Sequence, residues 1–329
     1  MKCLLQRLGL VILLLTLFGC TQAPEETGER QIRLTLAETQ VAGHPITRSM
    51  LYFADEVYTE TEGRVSIKVS AAGEEGTENS SIARVRNGEM DLARVSSVSM
   101  TEYSPNYIPL TLPYIFDSRE HMWAFVRSEA GRDILENTEG CEALAWVENG
   151  ARCFYSDAPI YSPQDMEGKT FRIPISDVMS ELLRAYGAKV TTVDLSAVYN
   201  SVNEGGIDGA ENDIISYDYF ANDVVAPYYT LNCHSYAPSL IIASSSLKDK
   251  LGEEDYNILC ECALKAEERS VELWNETEAE VLSSLEERGV TVIEPNEEQM
   301  RLFKEYASGI YEDYPEYKDI IEQIRTIEP

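Results

Sequence analysis

Between residues 31 and 70 the apolar residues change period twice. Residues 31–37 alternate, with Ile32, Leu34 and Leu36 on one side, which is the pattern of a half-buried strand. The stretch HPITRSMLYFADEVYTETEG then places Ile46, Met50, Phe53, Ala54, Val57 and Tyr58 on one helical face. Pro45 suits its first turn and Gly63 its end. VSIKVSAAG returns to alternation through Val65, Ile67 and Val69. Strand, helix and strand in that order demand a crossover helix and parallel pairing. A short helix around Ile82 and Val85, closed by Gly88, and a strand MDLARVS extend the series to β-α-β-α-β. The chain therefore opens an α/β layer domain.

The same rhythm returns later. PNYIPLTLPYIF (105–116), rich in proline and aromatics, reads as a structured crossing, and helices follow at 118–127 and 130–137. EALAWVENG and ARCFYSD read as strands near residue 150, and a second series then runs FRIPI, DVMSELLRAYG, KVTTV, LSAVYNSVNEG, IDGAEN. No sequence repeat links the two series, so they predict two similar domains without a duplication. At 329 residues the chain is long enough for two cores. HSYAPSLIIA (234–243) carries apolar strand material back, and residues 254–289 form one helix-compatible stretch without a clean heptad. A helix running along both domains uses that length best. A strand VTVIEP and two acidic helices finish the chain. The expected division is residues 31–150 as domain I, with 238–280 returning to it, 151–237 as domain II, and 281–329 packing across the two.

The first residues read as an export signal. Lys2 and Arg7 precede an apolar run from Leu8 to Phe18, too short to span a bilayer comfortably. LFGC at 17–20 resembles a bacterial lipobox, which makes 1–19 a signal peptide, Cys20 a lipidation site and 20–30 a polar tether. An ordinary cleaved signal is the alternative. The protein is expected outside the cytoplasmic membrane, anchored by lipid. The net charge of −30 argues against nucleic acid and against adsorption to anionic lipid. Beyond Cys3 and Cys20, the five remaining cysteines are scattered and form no disulfide framework or zinc spacing.

Catalytic signatures do not appear. The three histidines, His44, His121 and His234, sit in no HExxH or other metal pair, and there is no GxSxG, GxGxxG or Walker A sequence. Ser244–Ser246, ahead of LKDKL, read as a helix cap. No catalytic residue, cofactor or metal is expected, and the chain is not read as an enzyme. Binding is better supported. Arg172 interrupts the strand-like run Phe171–Ile173, at the kind of strand end where ligands of open α/β sheets lie. A guanidinium there offers a planar fork that matches a carboxylate. A structural ion pair with one of the chain's 57 acids is the competing reading. Arg152 precedes a strand, and Asn212 ends another beside Glu211; either could converge on the same cleft.

WVENGARCFYSDAPIYSPQDMEGKTFRIP, followed by AVYNSVNEGGIDGAEN, resembles the solute receptors of TRAP (tripartite ATP-independent periplasmic) transporters, the dicarboxylate-receptor-like family. The early HP…FA…V, the central LPYIF and the late long helix agree with it, so the resemblance covers nearly the whole mature chain. It implies a periplasmic-binding-protein-like fold: two α/β domains joined by hinge strands, a long helix spanning both, closing over an organic anion. It implies that Arg172 is the carboxylate anchor, that Arg152 shares the ligand, and that Asn212 completes the cradle. It also implies TRAP permease subunits as the membrane partner.

Departures from the family pattern bear on the ligand. Asp213 stands where proline is common, putting a carboxylate near the anion site to face a hydroxyl or solvent. Leu195 replaces an aromatic, removing a stacking shelf. The run RVSSVSM after MDLA argues against sialic acid. The far end of the ligand is expected to meet Glu38, His44, Glu78 and Tyr236. Carboxylates there suit hydroxyl donors, so a sugar acid such as a uronate or aldonate leads over a C4-dicarboxylate and over aromatic or keto acids. A receptor presenting its ligand to a sensor kinase, and an exported enzyme using the cleft, are the other classes.

Overall fold

The computed structural model describes residues 31–329; the signal segment, Cys20 and the tether lie outside the described residues. The first alternating run becomes β1 (Ile32–Ala37), followed by α1 (Pro45–Glu60), β2 (Val65–Ser70), α2 (Glu78–Arg86) and β3 (Leu92–Ser96). Single-turn helices α3 (Ser97–Met100) and α4 (Ile108–Thr111), then α5 (Arg119–Val126) and α6 (Glu129–Glu136), lead to β4 (Glu142–Val147). The second series is β5 (Arg152–Ser156), β6 (Thr170–Arg172), α7 (Asp177–Ala185), β7 (Lys189–Thr191), α8 (Val198–Asn203), β8 (Gly209–Asn212), α9 (Ile214–Tyr219) and β9 (Tyr228–Ser235). The chain returns through β10 (Ser239–Ala243), α10 (Leu247–Leu251), α11 (Glu253–Glu287), β11 (Thr291–Ile293), α12 (Glu297–Ala307) and α13 (Lys318–Thr326).

Two sheets result. The first has the order β2-β1-β3-β10-β4, with β1 parallel to β2 and β3, and β10 antiparallel to β3 and β4. The second has the order β11-β9-β5-β8-β6-β7, with β6, β7 and β8 mutually parallel. The parallel pairs among β1–β3 and among β6–β8 come from the β-α-β rhythm, the antiparallel ones from chain passing between the sheets, and β11 adds a late parallel partner to β9.

Both faces of each sheet are covered, as crossover helices require. Leu34, Leu36, Leu92, Tyr155 and Ala210 enter one core, while Ala37, Ala93, Val95, Phe154 and Phe171 enter the other. Each core therefore runs through residues of both sheets. Helix α11 lines one of them with Leu259, Cys262, Ala266, Trp274, Val281 and Leu285, positions three, four, seven or eight apart that keep one stripe inward. It packs on α1 and β4 beside the first sheet and on α9 beside the second. Among the described residues no helix is long and apolar enough to cross a membrane.

Two short crossings join the sheets and run side by side. Val147 pairs with Ser239 in the first sheet and Arg152 with Ser235 in the second, so residues 148–151 and 236–238 bridge the gap together. Asn149 Nδ2 donates to the Ala237 carbonyl at 3.2 Å, clipping one to the other. Buried Glu148 accepts from the Asn149 and Gly150 amides and from Trp123 Nε1, wiring the crossing to α5. Gly150 has φ +64°, and a Cβ there would lie 2.2 Å from Trp274 Cζ2. Glycine is required on both counts.

Two local expectations change. Ser246 occupies the N-cap of α10 but its side chain makes no capping bond; the Ser244 carbonyl accepts from Leu247 N instead. The apolar run 234–243 is two strands, the end of β9 and β10, broken by a crossing.

Candidate functional site

A cavity of about 320 Å³ opens between the two sheets. One wall comes from the carboxyl ends of β1 and β3 and the start of α2: Thr39, Gln40, Glu78, Asn79, Ser96 and Ser99. The facing wall comes from the ends of β6, β7 and β8 and the start of β5: Arg172, Val193, Leu195, Asn212 and Arg152. Parallel strands direct their carboxyl ends to one edge, so both series deliver their loops to the same gap. Asn149, on a crossing, lines it between the two.

Counting donors shows what the second wall offers. A guanidinium carries five N–H groups. Arg172 commits one of them, Nε, to the Val193 carbonyl at 2.8 Å. No carboxylate among the described residues pairs with it. It is only 8% exposed, and burial pulls its affinity for the proton below the ordinary arginine level, which nearby Tyr155 and Glu211 counter only in part. Arg152 is different. Its Nε and Nη2 meet Glu211 Oε2 and Oε1 at 2.5 and 2.7 Å, and Nη2 also donates to the Glu211 carbonyl. Burial disfavours the Arg152 charge, but Glu211 more than offsets this and raises its pKa. Among the described residues, Nη1 is the nitrogen of Arg152 left without a partner. The Asn212 carboxamide likewise has no partner among the described residues. The structure thus gathers Arg172, Arg152 and Asn212 at one end of the cavity.

Glu211 is held ionised despite its burial. Arg152 and a hydrogen bond from His234 Nε2 at 3.3 Å bring its pKa down to about 2. His234 reaches it from an irregular piece of β9. Between the pairs Arg152↔Ser235 and Phe154↔Thr230, β5 contributes Cys153 alone while β9 contributes Leu231, Asn232, Cys233 and His234. Asn232 Oδ1 accepts from the Phe154 amide left unpaired by this bulge, and His234 stacks on the Phe154 ring at 4.4 Å.

The first wall corrects several expectations. Glu38 does not line the cavity; it lies beneath it, 1% exposed, chelating the guanidinium of Arg94 and accepting from Gln40 N at 2.7 Å. Glu78 does line it, but its oxygens already accept from Arg94 Nη1, Ser96 N and Ser99 Oγ at 3.0, 3.2 and 2.8 Å. His44 is absent from the lining. It caps α1 by accepting from Ile46 N, meets Ser216 Oγ at 3.3 Å and packs edge-on to Tyr219 and Trp274, and burial holds it neutral. Tyr236 is also absent, being half-buried on the second crossing against the core. Asp213 turns away to cap α9 through Ser216 N at 2.8 Å, facing neither a ligand hydroxyl nor solvent; its other oxygen is buried without a partner, and burial raises its pKa to about 6. Leu195 lines the cavity, as do Ile173 and Ile175.

Sequence reasoning missed Arg94. Its N–H groups are fully committed, to Glu38, Thr39, Glu78 and Ser239. The clue was available: Arg94 interrupts the apolar strand LARVS as Arg172 interrupts its own. Gln40 was missed too. Its Nε2 donates to Ser216 Oγ at 3.0 Å, while its Oε1 is buried, unpartnered, on a residue that lines the cavity.

The arrangement is therefore polarised. One end presents the N–H groups of Arg172, which no acid among the described residues answers; the other presents hydroxyl and amide groups around an Arg94 paired with Glu38 and Glu78. Among the described residues no histidine or cysteine lines the cavity, and no cluster of His, Cys, Asp and Glu could hold a metal.

Comparison with known proteins adds four likenesses. The profile of the bacterial extracellular solute-binding protein family 7 (DctP) matches residues 36–317. A solute-binding protein of Chromohalobacter salexigens is 28% identical over 86% of this chain and 85% of its own. A TRAP periplasmic solute-binding protein of Xanthobacter autotrophicus, solved with β-D-galacturonate bound, superposes with a TM-score of 0.86 at 29% identity, covering 90% of this chain and 100% of that one. A TRAP periplasmic solute-binding protein of Roseobacter denitrificans, solved with β-D-glucuronate, gives 0.86 at 27% identity over 90% and 100%.

Proposed function

The chain belongs to family 7 of the bacterial extracellular solute-binding proteins, and from that premise we propose that it is a TRAP-type receptor for a sugar acid, with a uronate as its ligand. The observation that carries this is Arg172: a buried guanidinium with four N–H groups uncommitted, beside Arg152 Nη1 and Asn212. A carboxylate accepts two parallel bonds from such a fork, and desolvation strengthens the contact. The ligand supplies the countercharge that the protein withholds.

The opposite end favours hydroxyls over a second carboxylate. Arg94 has no N–H left to give, and Glu78 beside it would repel an anion. Thr39, Asn79 and Ser96, which line that end, offer hydroxyl and amide groups to sugar hydroxyls. This separates a uronate from a C4-dicarboxylate on electrostatic grounds. The relatives solved with galacturonate and glucuronate support the same reading.

In this reading the protein does no covalent chemistry. The acid enters between the sheets, Arg172 and Arg152 fix its carboxylate, and the halves close about crossings 148–151 and 236–238. The loaded receptor then docks on a membrane permease. Lipid at Cys20 would keep it close to that permease. Domain I, 31–150 with 238–280, and domain II, 151–237, would be the moving bodies.

A thermal-shift screen with D-galacturonate, D-glucuronate, gluconate, succinate and pyruvate tests this, because a ligand raises apparent stability by mass action. A uronate should give the largest shift, and calorimetry should show one site. Tighter binding of succinate than of either uronate would overturn the sugar-acid reading, and turnover of the bound acid would overturn the receptor.

A further inference from the structure

On the reverse side of β5 from Arg152, Cys153 and Cys233 place their sulfurs 3.7 Å apart. Both thiols are free, as are those of Cys141, Cys260 and Cys262. The pair sits inside the bulge where one residue of β5 faces four of β9. Cys233 has φ +44°, a left-handed conformation that side-chain-bearing residues seldom adopt. That twist brings its thiol onto Cys153. The two differ in access: Cys153 is buried, and Cys233 is partly exposed.

We propose that Cys153 and Cys233 are a disulfide-forming pair, oxidised by exchange with an external disulfide, that pins β5 to β9 beside the crossings between the sheets. Membership of an extracellular family puts the chain where such oxidants persist. The roles follow from the environment. The hydrogen bond from Cys153 lowers the pKa of Cys233, whereas burial raises that of Cys153. Cys233 is thus the attacking thiolate and Cys153 the resolving thiol.

The exchange balances in two steps. The Cys233 thiolate attacks one sulfur of a disulfide RS–SR; a new S–S bond to Cys233 forms, the S–S bond between the two RS groups breaks and a thiolate RS⁻ leaves. That thiolate takes the Cys153 proton, and the Cys153 sulfur displaces the second RS⁻, which takes up the proton first lost by Cys233. Two protein thiols are oxidised and one external disulfide is reduced to two thiols. The bond joins positions 80 residues apart, so it removes much freedom from the unfolded chain. Arg152, the neighbour of Cys153, is held by the same strand.

The test is to incubate the folded protein with oxidised glutathione, quench with acid, denature, alkylate and map peptides by mass. A reference dithiol peptide in the same tube reports that oxidant is active. The expected result is a Cys153–Cys233 crosslinked peptide and a thermal midpoint raised by a few degrees, reversed by dithiothreitol. The midpoint of a Cys233→Ser variant should not respond, and that of a Cys260→Ser variant should respond like the parent. Continued alkylation of both Cys153 and Cys233, a crosslink between another pair, or an equal rise in the Cys233→Ser variant would each overturn the proposal.

Discussion

Replacing Arg172 with methionine should separate two roles that a buried arginine can have. A structural arginine neutralises an acid, and its removal strands that acid in the interior at a cost of about 3–5 kcal/mol. Arg172 has no such acid; it holds only the Val193 carbonyl, while burial makes its charge expensive. Methionine fills similar volume without a charge. The ligand-free variant is therefore expected to be as stable as the parent or more stable, with one modest hydrogen bond lost against desolvation relieved. Binding should behave in the opposite way. Truncating one side of a buried, hydrogen-bonded charge pair costs about 2–5 kcal/mol, which is roughly 30- to 5,000-fold in affinity. Arg172→Lys keeps the charge but loses the fork, and should fall between the two. Arg152→Met is the internal control: it strands Glu211, so stability itself should drop by about 3–5 kcal/mol. Urea unfolding without ligand, with calorimetry against a uronate, measures both axes. Equal destabilisation by Arg172→Met and Arg152→Met would refute the reasoning, because Arg172 would then be part of the scaffold.

Asp213→Asn should stabilise the protein at neutral pH. Burial raises the folded pKa of Asp213 from 3.8 to about 6, so the folded state binds the proton more tightly than the unfolded chain. Stability is then lost as pH rises through about 4 to 6, and asparagine, an equally good cap, should gain roughly 1–3 kcal/mol at pH 7 and nothing below pH 4. Glu211 has the opposite sign: its pKa is lowered to about 2, so its contribution is present above its ordinary 4.5 and lost as pH falls toward 2, visible as acid unfolding that Glu211→Gln shifts upward in pH. Gly150→Ala meets Trp274 and a left-handed backbone at once and should cost about 1–3 kcal/mol by denaturant titration. The chain's charge of −30 repels an anion at long range, so the association rate of a uronate should rise as salt goes from about 0.01 to 0.15 M and the screening length shrinks from about 30 to 8 Å.

Much of the framework is written locally. The alternation at Ile32, Leu34 and Leu36 and the 3.6 period from Ile46 to Val57 each need only a few neighbours, and β1 and α1 follow them. Arg172 was legible because a cation inside an apolar run is anomalous wherever the chain goes. Arg94 carries the same anomaly. Its meaning depends on Glu38 and Glu78, 56 and 16 residues away, which meet it only after β1 and β3 pair. Glu38 and His44 flank the first strand–helix turn, which in sequence points them at a ligand; the turn's direction, which buries both, is set by contacts with Arg94 and Ser216. The four-for-one bulge of β9 has no periodic signature, so neither the His234 contact to Glu211 nor the displacement of Tyr236 onto a crossing could be read from spacing.

The cavity's two walls hang from different sheets, so in the proposed receptor gripping an acid and telling acids apart would fall to separate lengths of chain. Thr39, Ser96 and Ser99 are small and sit over an Arg94 whose charge is already settled. Exchanging them retunes which hydroxyl pattern is welcome without touching Arg172, Arg152 or Asn212. A scaffold divided in this way is open to redesign toward new acids one side at a time.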